Sequence, residues 1–155
     1  MAVPEFVLAL REKIGHAPLW LSGVSAVVLR DNEVLLVRRA DNGAWTPVTG
    51  IIDPGEQPAV AAERETLEEA GIVAIAEGLA WVQVLSMITY DNGDQSQYLD
   101  LVFRCSYVSG DPFPVDGENS EVAWFALDAL PDMSANMVAR IRSAVDFDGS
   151  TRFER

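Results

Sequence analysis

At 155 residues the chain is long enough for one domain with a real hydrophobic core and too short for two comfortable ones. Hydrophobic residues make up 49% and charged residues 23%, a globular balance that excludes a disordered chain. The net charge of −13 excludes a surface built to hold a nucleic-acid backbone or an anionic membrane, since both need bases. The single cysteine, Cys105, cannot close an internal disulfide and points to a reducing, cytoplasmic setting. No signal-peptide pattern opens the sequence, and no apolar run approaches the roughly 18 residues of a membrane span.

In chain order, residues 4–14 carry apolar side chains at helical spacing (Phe6, Val7, Leu10 and Ile14), which predicts a short amphipathic helix ending at Gly15. It is expected to pack on one edge of the domain, with a homodimer contact as the sharper alternative. His16, the one histidine, reads as a loop residue. Residues 23–29 and 34–37 are β-branched and leucine-rich, two strands joined by a turn at Arg30–Glu33. Arg38 and Arg39 follow on adjacent positions, so they point to opposite faces; one of them, Arg38 by preference, is expected to reach a substrate phosphate. Trp45 is expected in the core or a pocket wall.

Residues 50–72 form the most distinctive stretch. Gly50 and Gly55 suit a turn that needs unusual backbone angles. Pro58 suits the first position of a helix and Gly71 the position just past its end. On that helix Glu65, Glu68 and Glu69 fall within an arc of about 100° beside Ala61 and Ala62, with Val60, Leu67 and Ala70 opposite. The apolar side is therefore expected to pack and the acidic side to stay open. The stretch holds six acids and one base, Arg64. Glu65 and Glu69 are like charges four residues apart, which destabilise a bare helix; Arg64 can offset part of this through Glu68. A self-repelling carboxylate cluster with small neighbours suits Mg²⁺ or Mn²⁺, which take oxygen ligands. A solvated acidic face is the plainer alternative.

Residues 72–90 are β-rich with a bend near Gly78, Asp91–Asp94 is a strong turn signal, and residues 98–107 form the returning strand. Tyr90, Asp94 and Tyr98 near this hairpin tip are candidates for substrate contact, with an ordinary exposed tip as the alternative. Residues 111–120 make the longest loop and 121–126 a short strand. Residues 133–145 predict a closing helix capped by Asp132 or Ser134, and residues 146–155 are expected to fray. The mixed order of elements predicts an α/β sandwich, a mixed sheet with helices on its two faces.

Gly50, Glu56 after five residues, Arg64 after seven more, then Glu65, Glu68, Glu69, Gly71 and Ile72 together resemble the signature of the Nudix hydrolases, a constellation far longer than a simple glycine motif. Thr66 departs mildly from it. The lead-in departs further: the family usually has Leu-Pro-Gly-Gly where this chain has Pro47-Val48-Thr49-Gly50. The resemblance implies a Nudix α/β/α sandwich over roughly residues 20–146 of a single domain spanning 1–155. It also implies a metal-dependent enzyme that hydrolyses the pyrophosphate bond of a nucleoside diphosphate linked to another group, such as a nucleoside triphosphate or ADP-ribose.

On that resemblance Glu65, Glu68 and Glu69 hold Mg²⁺ or Mn²⁺, joined by the Thr49 carbonyl and by an acid near the late strand, Glu121 first and Glu118 second. Thr49 is strained if the site needs a positive φ. Glu65 is the candidate general base, Arg64 orients the glutamates, Glu56 ties the turn to the helix and Gly50 serves the backbone. The expected partner is a small nucleotide, with no nucleic acid and no membrane. Two other readings stay open: a nucleotide-sensing module that keeps the fold without the chemistry, and an isoprenoid diphosphate isomerase, for which Cys105 is a weak candidate catalyst.

Overall fold

The computed structural model describes residues 3–155. In chain order they form α1 (Glu5–Ile14), β1 (Leu19–Arg30), β2 (Glu33–Arg39), β3 (Trp45–Thr46), β4 (Val48–Ile51), α2 (Pro58–Ala70), β5 (Val73–Val84), β6 (Ile88–Thr89), β7 (Gln95–Ser109), β8 (Asn119–Ala126), α3 (Ala135–Val145) and β9 (Arg152–Phe153). The strands make one mixed sheet with the path β3-β2-β1-β7-β5-β9; β4 joins β1, β6 joins β7 and β8 joins β2. The pairs β1–β7 and β5–β9 are parallel and the others antiparallel.

Alternation along the strands sorts the core into two layers. Val24, Ala26 and Val28 of β1, with Leu35 and Val37 of β2, pack against Ala61, Ala62 and Ala70 of α2. Val27, Val34 and Leu36 pack the other way, against Ile141 and Ala144 of α3. Leu21 shares the parity of Val27 and packs with Val7 of α1 and Ile51 of β4. The sheet thus lies between α2 on one face and α1 with α3 on the other, the expected α/β sandwich. Only Val7 of the predicted α1 stripe is buried; Leu10 and Ile14 stay at the surface.

Three local expectations are overturned. The chain does not fray after Asp146: β9 pairs with β5, Arg152 lies over the Trp81 ring at 4.0 Å, and Trp81 Nε1 donates to Glu154 at 2.9 Å. Gly50 has no positive φ; Gly55 does, at 84°. Helix α2 is turned the other way from its apolar pattern. Val60 and Leu67 are 53% and 51% exposed, while Ala61, Ala62, Thr66 and Ala70 are fully buried. The small residues decide the orientation, because they let the helix axis approach the sheet and the larger side chains do not. Thr66 closes its hydroxyl onto the Ala62 carbonyl at 2.7 Å. Glu65 and Glu69, between these small residues on the helix surface, are carried inward with them.

Helix α3 starts where the sequence places its cap: Ser134 Oγ accepts the Met137 N–H at 3.3 Å. It is docked by a closed polar ring. Arg140 donates to Ser25 (2.9 Å) and Asn136 (2.8 Å), Ser25 donates to Asp100 (2.8 Å), Asn136 to Gln83 (2.9 Å), and Gln83 to Asp100 (2.9 Å). Arg140, Ser25, Asp100 and Gln83 are all buried, so each needs these partners.

Candidate active site

Strand β4, the turn after it and helix α2 bring the acidic cluster together. Glu65 and Glu69 are each only 4% exposed. Glu65 lies directly over Gly50: a Cβ built on Gly50 would come within 2.2 Å of the Glu65 carboxyl carbon. The glycine is therefore needed for space, not for its dihedral. Thr49 beside it sits in extended β4, paired opposite Ser25, and its φ is not positive. The strain considered for a β-branched residue at this place does not arise.

Arg64 is the hub of the site. Its Nε donates to Glu56 (2.7 Å), Nη1 to Glu65 and Glu68 (each 3.0 Å), and Nη2 to Glu56 (3.0 Å) and the Ile51 carbonyl (3.2 Å). Glu56 also accepts the Asp53 N–H at 3.0 Å, which fixes the turn to the helix. At the far end Gly71 takes a left-handed φ of 68° and its N–H caps the Leu67 carbonyl, the position where glycine carries no Cβ penalty.

The loop before β8 completes the cluster. Phe113 and Val115 donate their N–H groups to the Ala70 and Glu69 carbonyls, so the loop is seated on the C-terminal end of α2. This brings carboxylate oxygens of Asp116 and Glu118 within 4.8 Å of one another and of Glu69. Asn119 donates to Glu69 at 3.2 Å.

Burial dominates the charge state. It pushes the Glu65 carboxyl up to about 7, with nearby Glu68 adding and Arg64 opposing. Burial and then Glu65 push Glu69 up to about 7. The Arg64 guanidinium instead holds Glu56 below the usual carboxylate range. Two acids that resist ionisation beside two more carboxylates form a site where a cation restores the balance. The donor set is all oxygen, which fits a hard divalent ion such as Mg²⁺ or Mn²⁺.

Two clefts open on either side. The larger, about 700 Å³, is lined among others by Glu65, Glu68, Arg64, Asp116 and Glu118. The smaller, about 450 Å³, is lined by Arg39, Thr49, Glu69, Glu118 and Asn119 with their neighbours. Glu65 and Glu68 thus face one cleft, and Glu69 with Thr49 the other. Glu121 is not with them: it lies across from Arg38 on β2 and accepts its Nη1 at 2.7 Å. Arg38 also donates to the Gly43 carbonyl and lines neither cleft. Its neighbour Arg39 is the arginine that does.

Tyr90, Asp94 and Tyr98 line neither cleft. The two phenols meet at 3.0 Å, and Asp94 pairs with His16 at 2.8 Å and Arg11 at 3.6 Å, so the hairpin tip braces α1. Asp116 and Asn119 escaped the sequence reading, and Arg39 stood in it only as the second choice to Arg38. An acid–glycine–acid run, Asp116-Gly117-Glu118, was visible there, but nothing in it announces that the loop docks on α2.

The comparisons agree with this geometry. The NUDIX domain family matches residues 20–146. A MutT-like protein of Streptomyces ambofaciens is 34% identical over 134 residues, covering 85% of this chain and 81% of that protein. The NAD-capped RNA hydrolase NudC of Pseudomonas aeruginosa is 34% identical over 111 residues. That alignment covers 70% of this chain but 37% of the relative, so the chain spans little more than a third of its length. Among solved structures, a UDP-X diphosphatase superposes with a TM-score of 0.70 at 21% identity, covering 96% of this chain and 73% of that one. An ADP-ribose pyrophosphatase from Streptococcus suis gives 0.63 at 21% identity, covering 86% and 98%. At such identities the likeness is one of fold.

Proposed function

Because the chain belongs to the Nudix hydrolase family and is a pyrophosphohydrolase, we propose that it uses a divalent metal to cleave the pyrophosphate bond of a nucleoside diphosphate linked to another group, a nucleoside triphosphate or a nucleotide sugar such as ADP-ribose. The observation that carries this reading is the burial of two glutamates of α2, Glu65 seated on Gly50 and Glu69 faced by Asp116 and Glu118. Arg64 pairs with Glu65, but burying Glu69 beside Asp116 and Glu118 without a cation is costly, and folding alone gives no reason to keep it there.

Glu65, Glu68 and Glu69, with Asp116, Glu118 and the Thr49 carbonyl, would hold Mg²⁺ or Mn²⁺. When bound, such an ion neutralises charge on phosphoryl oxygens and acidifies a coordinated water. The chain's own groups do the rest. Arg64 fixes Glu65 through Oε1 and leaves Oε2 to take a proton from water. Glu56 keeps Arg64 in place. Arg39, whose Nε and Nη2 meet only the exposed Asp41, can turn its remaining donors to the diphosphate. Glu121, ion-paired to Arg38, stands outside this set. The −13 charge favours a small nucleotide, brought in with its metal, over a nucleic-acid strand.

Product analysis across a panel of triphosphates, nucleotide sugars and dinucleotides with Mg²⁺ tests the reading; release of a nucleoside monophosphate from at least one is the expected result. Glu68→Gln should abolish that turnover while leaving the circular dichroism spectrum and thermal midpoint close to wild type, since Glu68 is largely exposed. Wild-type turnover in this variant would remove Glu68 from the site.

A further inference from the structure

The two clefts differ in size and in charge. The larger carries an apolar wall of Phe6, Ile51 and Val115, which suits the flat faces of a base and a sugar. The smaller is mostly polar and holds Arg39. Six carboxylates edge the larger cleft: Glu5, Asp53, Glu65, Glu68, Asp116 and Glu118. Its one cation among the described residues, Arg64, has nothing to offer a ligand. The five N–H groups of a guanidinium are all used, on Glu56 twice, Glu65, Glu68 and the Ile51 carbonyl. The first turn of α1 opens here too, and Glu5 on that turn answers its partial positive charge.

Resting on the pyrophosphohydrolase reading above, we propose that the larger cleft receives the nucleoside half of the substrate and admits only a nucleoside whose ribose bears no further phosphate. Glu5 and Asp53 act as the specificity-determining charges at its mouth. Both are exposed and neither belongs to the carboxylates assigned to the metal, so the metal does not neutralise them when the site is loaded. A 2′- or 3′-phosphate on the ribose enters a like-charged rim with no arginine to meet it. Free nucleotide derivatives are therefore substrates, and 3′-phosphorylated nucleotides, including the 5′ ends of RNA, are excluded. The group beyond the diphosphate falls to the smaller, Arg39-bearing cleft.

NAD⁺ and NADP⁺ differ only by a phosphate on the adenosine ribose, and they test this directly. With Mg²⁺ at low ionic strength, wild type should favour NAD⁺ in kcat/KM by about tenfold or more, mainly through KM. The double variant Glu5→Lys/Asp53→Lys should narrow the ratio to about threefold by improving NADP⁺, while NAD⁺ turnover is kept. If another nucleotide of the panel is cleaved and these two are not, the pair is read as competitive inhibitors, with NADP⁺ the weaker by the same factor and the charge-reversed variant closing the gap. Equal handling of the two, or a preference that survives the charge reversal, overturns the proposal and leaves the hydrolase reading intact. Absence of turnover for every panel member overturns the hydrolase reading, and this inference with it.

Discussion

Gly50 shows how one atom can hold a site open. The missing Cβ leaves the volume that the Glu65 side chain fills, so a methyl group there competes with a carboxylate for one place. Gly50→Ala is expected to push Glu65 off the strand and toward the cleft, lowering kcat by at least about tenfold. The stability loss should be roughly 1–3 kcal/mol, the usual range for overpacking a tight contact. Steady-state kinetics beside urea denaturation separate the two effects; a variant with kcat within twofold of wild type would show that Glu65 need not lie over residue 50. The sequence marked this glycine correctly as special but assigned it the wrong reason. A positive φ and a close side-chain approach leave the same letter in the chain, and only the packing distinguishes them. The adjacent arginines repeat the lesson: strand alternation sends Arg38 and Arg39 to opposite faces, but register decides which one meets the cleft, and here it is Arg39.

Among the elements, α2 was legible in its extent and illegible in its orientation. Pro58 and Gly71 bounded it where the helix begins and ends, because those signals are local. Its inward face was set by tertiary packing, which favoured closely approaching alanines and Thr66 over Val60 and Leu67. This predicts a contrast opposite to the hydrophobic pattern. Leu67→Gln should change stability by no more than about 0.5 kcal/mol, while Ala62→Leu should cost roughly 1–3 kcal/mol by overpacking against the sheet. Chemical denaturation of both variants measures it, and a larger loss for Leu67→Gln would reverse the orientation.

Helix α3 carries a second element-scale expectation. Arg140→Ala leaves Asp100, 2% exposed, without its cationic neighbour, and breaks the ring to Ser25 and Asn136. The loss should be on the order of 3 kcal/mol, with kcat unchanged in whatever fraction remains folded. A cost below about 1 kcal/mol would mean the ring contributes little to docking. The docking of the loop at 111–118 and the short β9 were hidden for one common reason. Each is held by backbone or polar contacts to distant residues, such as Phe113 to Ala70 and Glu154 to Trp81, and such contacts leave no periodic trace in sequence.

For the molecule as a whole, the fold works by joining two distant segments over one face of the sheet. The helix supplies Glu65, Glu68 and Glu69; the loop before β8, about fifty residues later, supplies Asp116 and Glu118 and is seated on the helix by backbone hydrogen bonds. The first half of that arrangement was readable from a long, specific motif. The second depends on chain topology, which is why Glu121 was favoured over Glu118 and Asp116 went unmentioned. In a chain of net charge −13, bringing Glu69, Asp116 and Glu118 together, with Glu65 and Glu68 on the wall of the adjoining cleft, makes physical sense if a cation is part of the working protein. The most direct test is a crystal soaked in Mn²⁺ and read by anomalous scattering. A metal held by this site gives a peak among the carboxylates of Glu69, Asp116 and Glu118 or on the Glu65 side of that wall, with none at Glu121; a peak elsewhere, or none at a Mn²⁺ concentration that saturates turnover, would contradict the metal-dependent site.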